Sequence, residues 1–249
     1  MDGRVLLTQP KEGYRAATDP VFLAAAAPVS AGERVLDLGC GVGAAALCLL
    51  ARVPGASAVG VEVQAAYAAL ARANAVQNGA ALDVVTADLR ALPPALTAET
   101  FDHVITNPPY FAAQKAHGAR DPGRDLAHRE GAGNLADFLD TALRRLRPGG
   151  WLTLIQRAER LGDVLAILSA RAGGVAIRPL APRAHRAAGR VVVRAQKGAR
   201  TPLTLLPPLV IHRGSAHGGP EDGFTPVATA ILRDAAPLSF AQAHDLHSR

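Results

Sequence analysis

The chain has 249 residues, 49% hydrophobic and 19% charged, with 24 Gly, 18 Pro and a net charge of +6, which suits one α/β domain with a sizeable core. Those proportions exclude intrinsic disorder, collagen and coiled coil, and the longest apolar runs, Val21 to Val29 and Ala44 to Ala51, are under half the roughly 20 residues of a bilayer crossing. Two cysteines, Cys40 and Cys48, make no disulfide framework, no Cys/His cluster has zinc spacing, and no secretory signal opens the chain; the expectation is a cytoplasmic monomer with no metal and no membrane contact.

Thr18-Asp19-Pro20 reads as a helix start, with a capping side chain and Pro in the first turn. Arg34 to Leu38 is a short buried strand, followed by Gly39-Cys-Gly-Val-Gly43 and an apolar helix to about Val53. Ser57 to Val63 is a second strand, and Ala65 to Gln77 a helix closed by Asn78-Gly79. Leu82 to Thr86, Phe101 to Thr106 and Trp151 to Gln156 are further strands, and Leu135 to Leu146 is a helix stopped by Pro148-Gly149-Gly150. This alternation specifies a Rossmann-like parallel sheet with helices on both faces.

After Gly173 helices no longer intervene. Val175 to Leu180, Arg190 to Gln196 and Leu203 to His212 read as short strands, so a seven-stranded, mostly parallel sheet is expected to end in an antiparallel hairpin. Phe224 to Ala235 is a last helix. The single domain divides into an N-terminal cap (1–32), a core (33–172), the hairpin and helix (173–234) and a mobile tail (235–249). The aperiodic stretch from Phe111 to Gly133 has the length of a functional lid.

Only 3 of the 27 Lys+Arg residues are Lys, and no Asp or Glu occurs between Val164 and Pro220. Arg186, Arg190, Arg194 and Lys197 lie in that stretch. A single-sign run of this length favours phosphate binding over a merely solvated face.

Two constellations carry chemistry. In the first, Asp37 stands before Gly39, Gly41 and Gly43, Glu62 ends the second strand, and Asp88 ends the third. Glycines there admit positive φ and close ligand approach; Glu62 is placed for ribose hydroxyls, and Asp88 for an adenine amino group. An acid directly before the glycines suits a cationic amino-acid moiety and not a pyrophosphate. S-adenosylmethionine, with an ammonium, a sulfonium and no phosphate, satisfies that pattern. In the second, Asn107-Pro108-Pro109-Tyr110 follows the fourth strand. The prolines hold an extended turn, so the Asn107 amide oxygen and the Pro108 carbonyl converge on one exocyclic amino group. Tyr110 offers a stacking face, positioning supplies the rest of the rate, and no general base is needed before transfer.

Val35-Leu-Asp-Leu-Gly-Cys-Gly-Val-Gly43 resembles the first motif of class I methyltransferases, and Asn107-Pro-Pro-Tyr110 that of enzymes methylating adenine N6, cytosine N4, guanine N2 or a protein glutamine amide. The ends, Gly13-Tyr14-Arg15 with Thr18-Asp19-Pro20, and Leu209 to Gly214 with Phe224-Thr225-Pro226, are similar to those of bacterial tRNA(Val) adenine-N6 methyltransferases. Ala17 departs from the glycine often found there. The resemblance implies an S-adenosylmethionine-dependent N-methyltransferase acting on tRNA, with Tyr14 and Arg15 over cofactor or substrate. The alternatives are an rRNA or DNA amino methyltransferase, a protein-glutamine enzyme, and a silent cofactor-binding module. Few residues precede the first strand, which disfavours the glutamine enzymes with their extra helical domain, and an intact Asn-Pro-Pro-Tyr disfavours the silent module.

Overall fold

The computed structural model describes residues 1–13, 15–109, 134–214, 218 and 222–241. Tyr14, Tyr110 and the segment 111–133 lie outside them. In chain order come α1 (Asp19–Ala26), β1 (Arg34–Leu38), α2 (Ala44–Arg52), β2 (Ser57–Glu62), α3 (Ala65–Gln77), β3 (Leu82–Thr86), a one-turn α4 (Pro94–Thr97) and β4 (Phe101–Thr106). There follow α5 (Leu135–Arg145), β5 (Leu146–Arg157), α6 (Leu161–Leu168), β6 (Ala172–Ala181) and β7 (Arg190–Lys197). Two-residue strands β8 (Thr204–Leu205) and β9 (Leu209–Val210) precede α7 (Pro226–Asp234).

The strands form one sheet in the order β3-β2-β1-β4-β5-β7-β6-β8, with β9 also on β6. β1 to β5 run parallel, and β7 is antiparallel to both β5 and β6. Among the described residues the sheet has nine strands, not seven. The last expected strand, Leu203 to His212, is interrupted at Pro207-Pro208, which have no N–H to give a ladder. Its two remnants pair separately with β6, at Ala176 and Ile177 and then at Leu180 and Ala181.

Side chains alternate across the sheet and divide the core in two. Val35, Ile105, Ile155 and Val192 pack against α1, α2 and α7 on one face; Leu36, Val104, Leu152 and Val193 pack against α5 and α6 on the other. Asn134 and Asp137 form a reciprocal capping box at α5, and Thr225 caps α7 ahead of Pro226, whereas Thr18, expected to cap α1, is itself in a helical conformation and makes no side-chain cap bond.

The tail, expected to be mobile, is docked as far as Phe240. Leu238 is buried, and its N–H donates to the Ala25 carbonyl at 2.8 Å. Arg178 Nη2 donates to the Ser239 carbonyl at 2.8 Å, and the Arg194 guanidinium lies 4.0 Å from the Phe240 ring centre. An aromatic ring and a leucine in the last fifteen residues supply the apolar area that holds it.

Candidate active site

The glycine turn is built by the backbone. The N–H groups of Gly39 and Cys40 both donate to the Val61 carbonyl, at 2.8 and 3.0 Å, tying the end of β1 to the end of β2. Gly39 (φ +70°) and Gly41 (φ +55°) are in the left-handed region, where a Cβ is strained. At Gly39 a Cβ would also lie 2.9 Å from the Phe138 ring. Gly43 (φ +83°) starts α2; a Cβ there would meet Leu82 and Ala71, so it shapes the turn from behind.

Two carboxylates are buried beside that turn. Glu62 accepts from the N–H groups of Gly41 and Gln64, each at 2.9 Å. Asp37, 2% exposed, accepts from the Ala46 N–H at 3.3 Å in the first turn of α2. Burial pushes Asp37 up to about 7, against the Ala46 bond and with added repulsion from Glu62. Burial also raises Glu62, opposed by the backbone N–H groups around it. Asp88 differs: Arg90 grips both of its oxygens, at 2.6 to 3.1 Å, and holds its carboxyl below the usual range. Any ligand amino group at Asp88 therefore shares that carboxylate with Arg90.

Thr106 Oγ1 donates to the Leu38 carbonyl at 2.9 Å, so β4 releases Asn107-Pro108-Pro109 beside the glycine turn. Asn107 Oδ1 is buried and has no hydrogen-bond partner among the described residues. A buried acceptor left unmet costs about 1–3 kcal/mol, and an incoming N–H relieves that cost. Pro108 is buried and Pro109 half-buried. A cavity of about 370 Å³ joins Asp37, Glu62 and Asp88 to Asn107, Pro108 and Pro109. Such a donor set fits S-adenosylmethionine: buried anions for a cation, a held carboxylate for ribose hydroxyls, and no cationic cradle for a pyrophosphate at the glycines.

The basic residues separate. Arg15 and Arg190 line the cavity, and Arg190 Nε donates to Asp19 Oδ2 at 2.5 Å. Arg186 is exposed on the β6–β7 connection, at the same end of the sheet. Arg194 and Lys197, expected at the nucleic acid, lie away from the cavity, because β7 runs antiparallel and carries them from it. Arg194 donates to the Ala26 carbonyl and stacks on Phe240; burial, with Arg52 and Arg178 nearby, pushes it down to about 10. Lys197 Nζ donates to the Leu146 carbonyl at 2.6 Å, at the opposite end of the sheet. Tyr14 and Tyr110 lie outside the described residues.

Phe138, Arg157 and Asp19 are among the cavity residues that the sequence reading did not assign to the site. Arg157 is the last residue of β5. The rule that places ligands at the carboxyl ends of parallel strands would have found it, had it been applied past the fourth strand. Among the described residues no cluster of His, Cys, Asp and Glu is placed to hold a metal, and no helix is long and apolar enough to cross a membrane.

A family model described as methyltransferase small domain matches residues 19–168. A tRNA1(Val) (adenine(37)-N6)-methyltransferase of Aeromonas hydrophila is 32% identical over 185 residues, covering 73% of this chain and 76% of the relative. A 4-amino-L-phenylalanine/4-methylamino-L-phenylalanine methyltransferase of Streptomyces pristinaespiralis is 38% identical over 142 residues, 55% of this chain and 48% of that one. The crystal structure of an Agrobacterium tumefaciens protein described as a predicted O-methyltransferase superimposes with a TM-score of 0.71 at 29% identity, covering 88% of this chain and 98% of that chain.

Proposed function

The chain belongs to the methyltransferase small domain family of S-adenosylmethionine-dependent enzymes, and on that premise we propose that it methylates an exocyclic aromatic amine, adenine N6 in a tRNA anticodon loop. The observation that carries this reading is the buried Oδ1 of Asn107, unpartnered among the described residues, at the cavity that also holds Asp37 and Glu62.

S-adenosylmethionine supplies an electrophilic methyl on a sulfonium. The chain supplies position and charge. Asp37 and Glu62 hold the cationic and hydroxyl-bearing parts of the cofactor, with Asp88 at its base. Asn107 Oδ1 accepts one hydrogen of the substrate amine and the Pro108 carbonyl the other. An amine bonded through both hydrogens presents its nitrogen lone pair in a fixed direction, and as positive charge develops on nitrogen both acceptor bonds strengthen. Each group aimed at developing charge contributes roughly 3 kcal/mol, and alignment of the reacting atoms contributes the larger share. Pro108 and Pro109 keep this geometry without a hydrogen-bond ladder.

An adenine in an anticodon loop is already partly unpaired, which lowers the cost of turning it into a pocket. The Aeromonas hydrophila relative, named for this reaction and aligned over three quarters of its length, supports the choice of substrate. The test is nucleoside mass spectrometry on unmodified tRNA incubated with the protein and deuteromethyl S-adenosylmethionine. Labelled N6-methyladenosine is expected; label appearing only in rRNA, DNA or a protein amide would overturn the tRNA reading.

A further inference from the structure

Along the carboxyl edge of the sheet the site residues follow strand order. Glu62 ends β2, Asp37 lies in β1, Asn107 follows β4, Arg157 ends β5 and Arg190 begins the antiparallel β7. The cavity therefore runs from buried anions, past the amine acceptors, to a pair of guanidiniums.

Arg157 and Arg190 are direct partners across the β5–β7 ladder, so their side chains leave the same face. Like charges placed directly opposite are destabilising, yet both side chains line the cavity, 42% and 43% exposed. Asp19 fixes Arg190 through Nε at 2.5 Å, and Glu159 stands 3.5 Å from Arg157 Nη1. Asp19 also belongs to the cavity wall, so the fold orients this pair toward the space where the acceptor sits. Two strand spacings, about 10 Å, separate β4 from β7. A nucleotide likewise sets its phosphate apart from the base amine, across the ribose.

We propose that Arg157 and Arg190 form an anion seat for a phosphodiester flanking the methylated base, so that the enzyme recognises an aromatic amine tethered to an anion. Paired guanidinium forks match phosphate oxygens in number and direction. The same chemistry would accept a carboxylate, and an aromatic-amine amino acid is the other source. The proposal deepens the tRNA reading and rests on it for the phosphodiester.

The test uses the full chain and an anticodon stem–loop RNA carrying single uncharged methylphosphonate linkages on either side of the target adenosine. With wild-type protein, one of these linkages lowers kcat/KM by about 10- to 100-fold, the loss of charge-assisted bonds. Arg157→Gln shows a comparable loss on the native RNA and little further loss on the modified one, with S-adenosylmethionine affinity unchanged. Arg157→Lys, which keeps the charge without the fork, recovers part of the loss. Arg190→Gln repeats the pattern, read beside its melting temperature because it also releases Asp19. Independent, multiplying losses from the variant and the linkage overturn the seat, as does a parallel loss of cofactor affinity. Where wild-type protein methylates no RNA, the functional reading fails by itself. The seat is then decided by binding to protein saturated with S-adenosylhomocysteine. Adenosine 5′-monophosphate bound about tenfold tighter than adenosine in wild type and equally in Arg157→Gln retains it. Equal or absent binding in wild type, or a preference for 4-amino-L-phenylalanine over the nucleotide, overturns the phosphodiester.

Discussion

The two ends of the cavity hold charge by different means. At the cofactor end, Asp37 and Glu62 are fixed by backbone N–H groups close in sequence: Ala46 to Asp37 spans 9 residues, Gln64 to Glu62 spans 2, and Gly41 to Glu62 spans 21. At the acceptor end Arg190 is fixed across the fold, to Asp19 over 171 residues, although its partner Arg157 meets the nearby Glu159. A local backbone cradle forms whenever its own strand–turn–helix unit forms. A long-range side-chain pair forms only when the whole sheet has closed. In the proposed reaction, cofactor binding and acceptor recognition thus fall to separable parts of one cavity, with β4 and Asn107 as the seam between them.

The largest test of that separation is Asn107→Ala. Removing one of the two amine acceptors is expected to lower the rate of methyl transfer by roughly 10²- to 10³-fold. Cofactor affinity, measured by calorimetry, should stay within about twofold, since the carboxylates and the glycine turn are untouched. A matching loss in both quantities would break the distinction between the two ends.

Asp37 sharpens it from the other side. In the unfolded chain its carboxyl titrates near 3.8, and in the folded protein burial raises it to about 7. Between those values the unfolded chain has released its proton while the folded protein retains it. Stability of the ligand-free protein therefore falls as pH rises from about 4 to about 7, and this contribution is constant above that. A cation bound beside Asp37 favours the ionised form, so S-adenosylmethionine affinity should rise about tenfold from pH 6 to pH 8, with proton release on binding. Asp37→Asn should raise the melting temperature of the ligand-free protein at pH 8, weaken cofactor binding and flatten its pH profile. A variant with lower melting temperature and an unchanged profile would show that the buried charge does not govern this end.

That contrast also explains what the sequence makes legible. Gly39, Gly41, Glu62 and Asn107 act through short-range backbone geometry, so spacing alone announces them. α3 falls on its expected bounds, Ala65 to Gln77, because its period and its Asn78-Gly79 stop are local. Arg194 reads as one more cation in a basic run, and only the closed sheet turns it inward. Pro207-Pro208 does contain the signal that splits the expected strand. The clamp on the N-terminal segment was invisible for the same reason as Arg194. Asn74 on α3 and Asn78 just past its end bond the backbone of Thr8 and Leu6 at 2.7 to 3.0 Å, across more than sixty residues of sequence.

The smallest expected effect concerns the docked tail. If Arg194 contacts nucleic acid, Phe240→Ala leaves its guanidinium freer and alters tRNA affinity and its salt dependence. If Arg194 is a packing residue, the ring covers a cation that is already bonded to Ala26, and its loss removes a partly desolvated cation–π contact of about 1 kcal/mol. For a chain of this length that lowers the melting temperature by about 2–4 °C, while kcat, KM for tRNA and the slope of log affinity against log salt stay as they were. Placement of Phe240 4.0 Å from Arg194 and of Leu238 beneath the sheet's helical layer favours the second outcome. A changed salt slope with an unchanged melting temperature would return Arg194 to the substrate surface and extend the basic end of the cavity along β7.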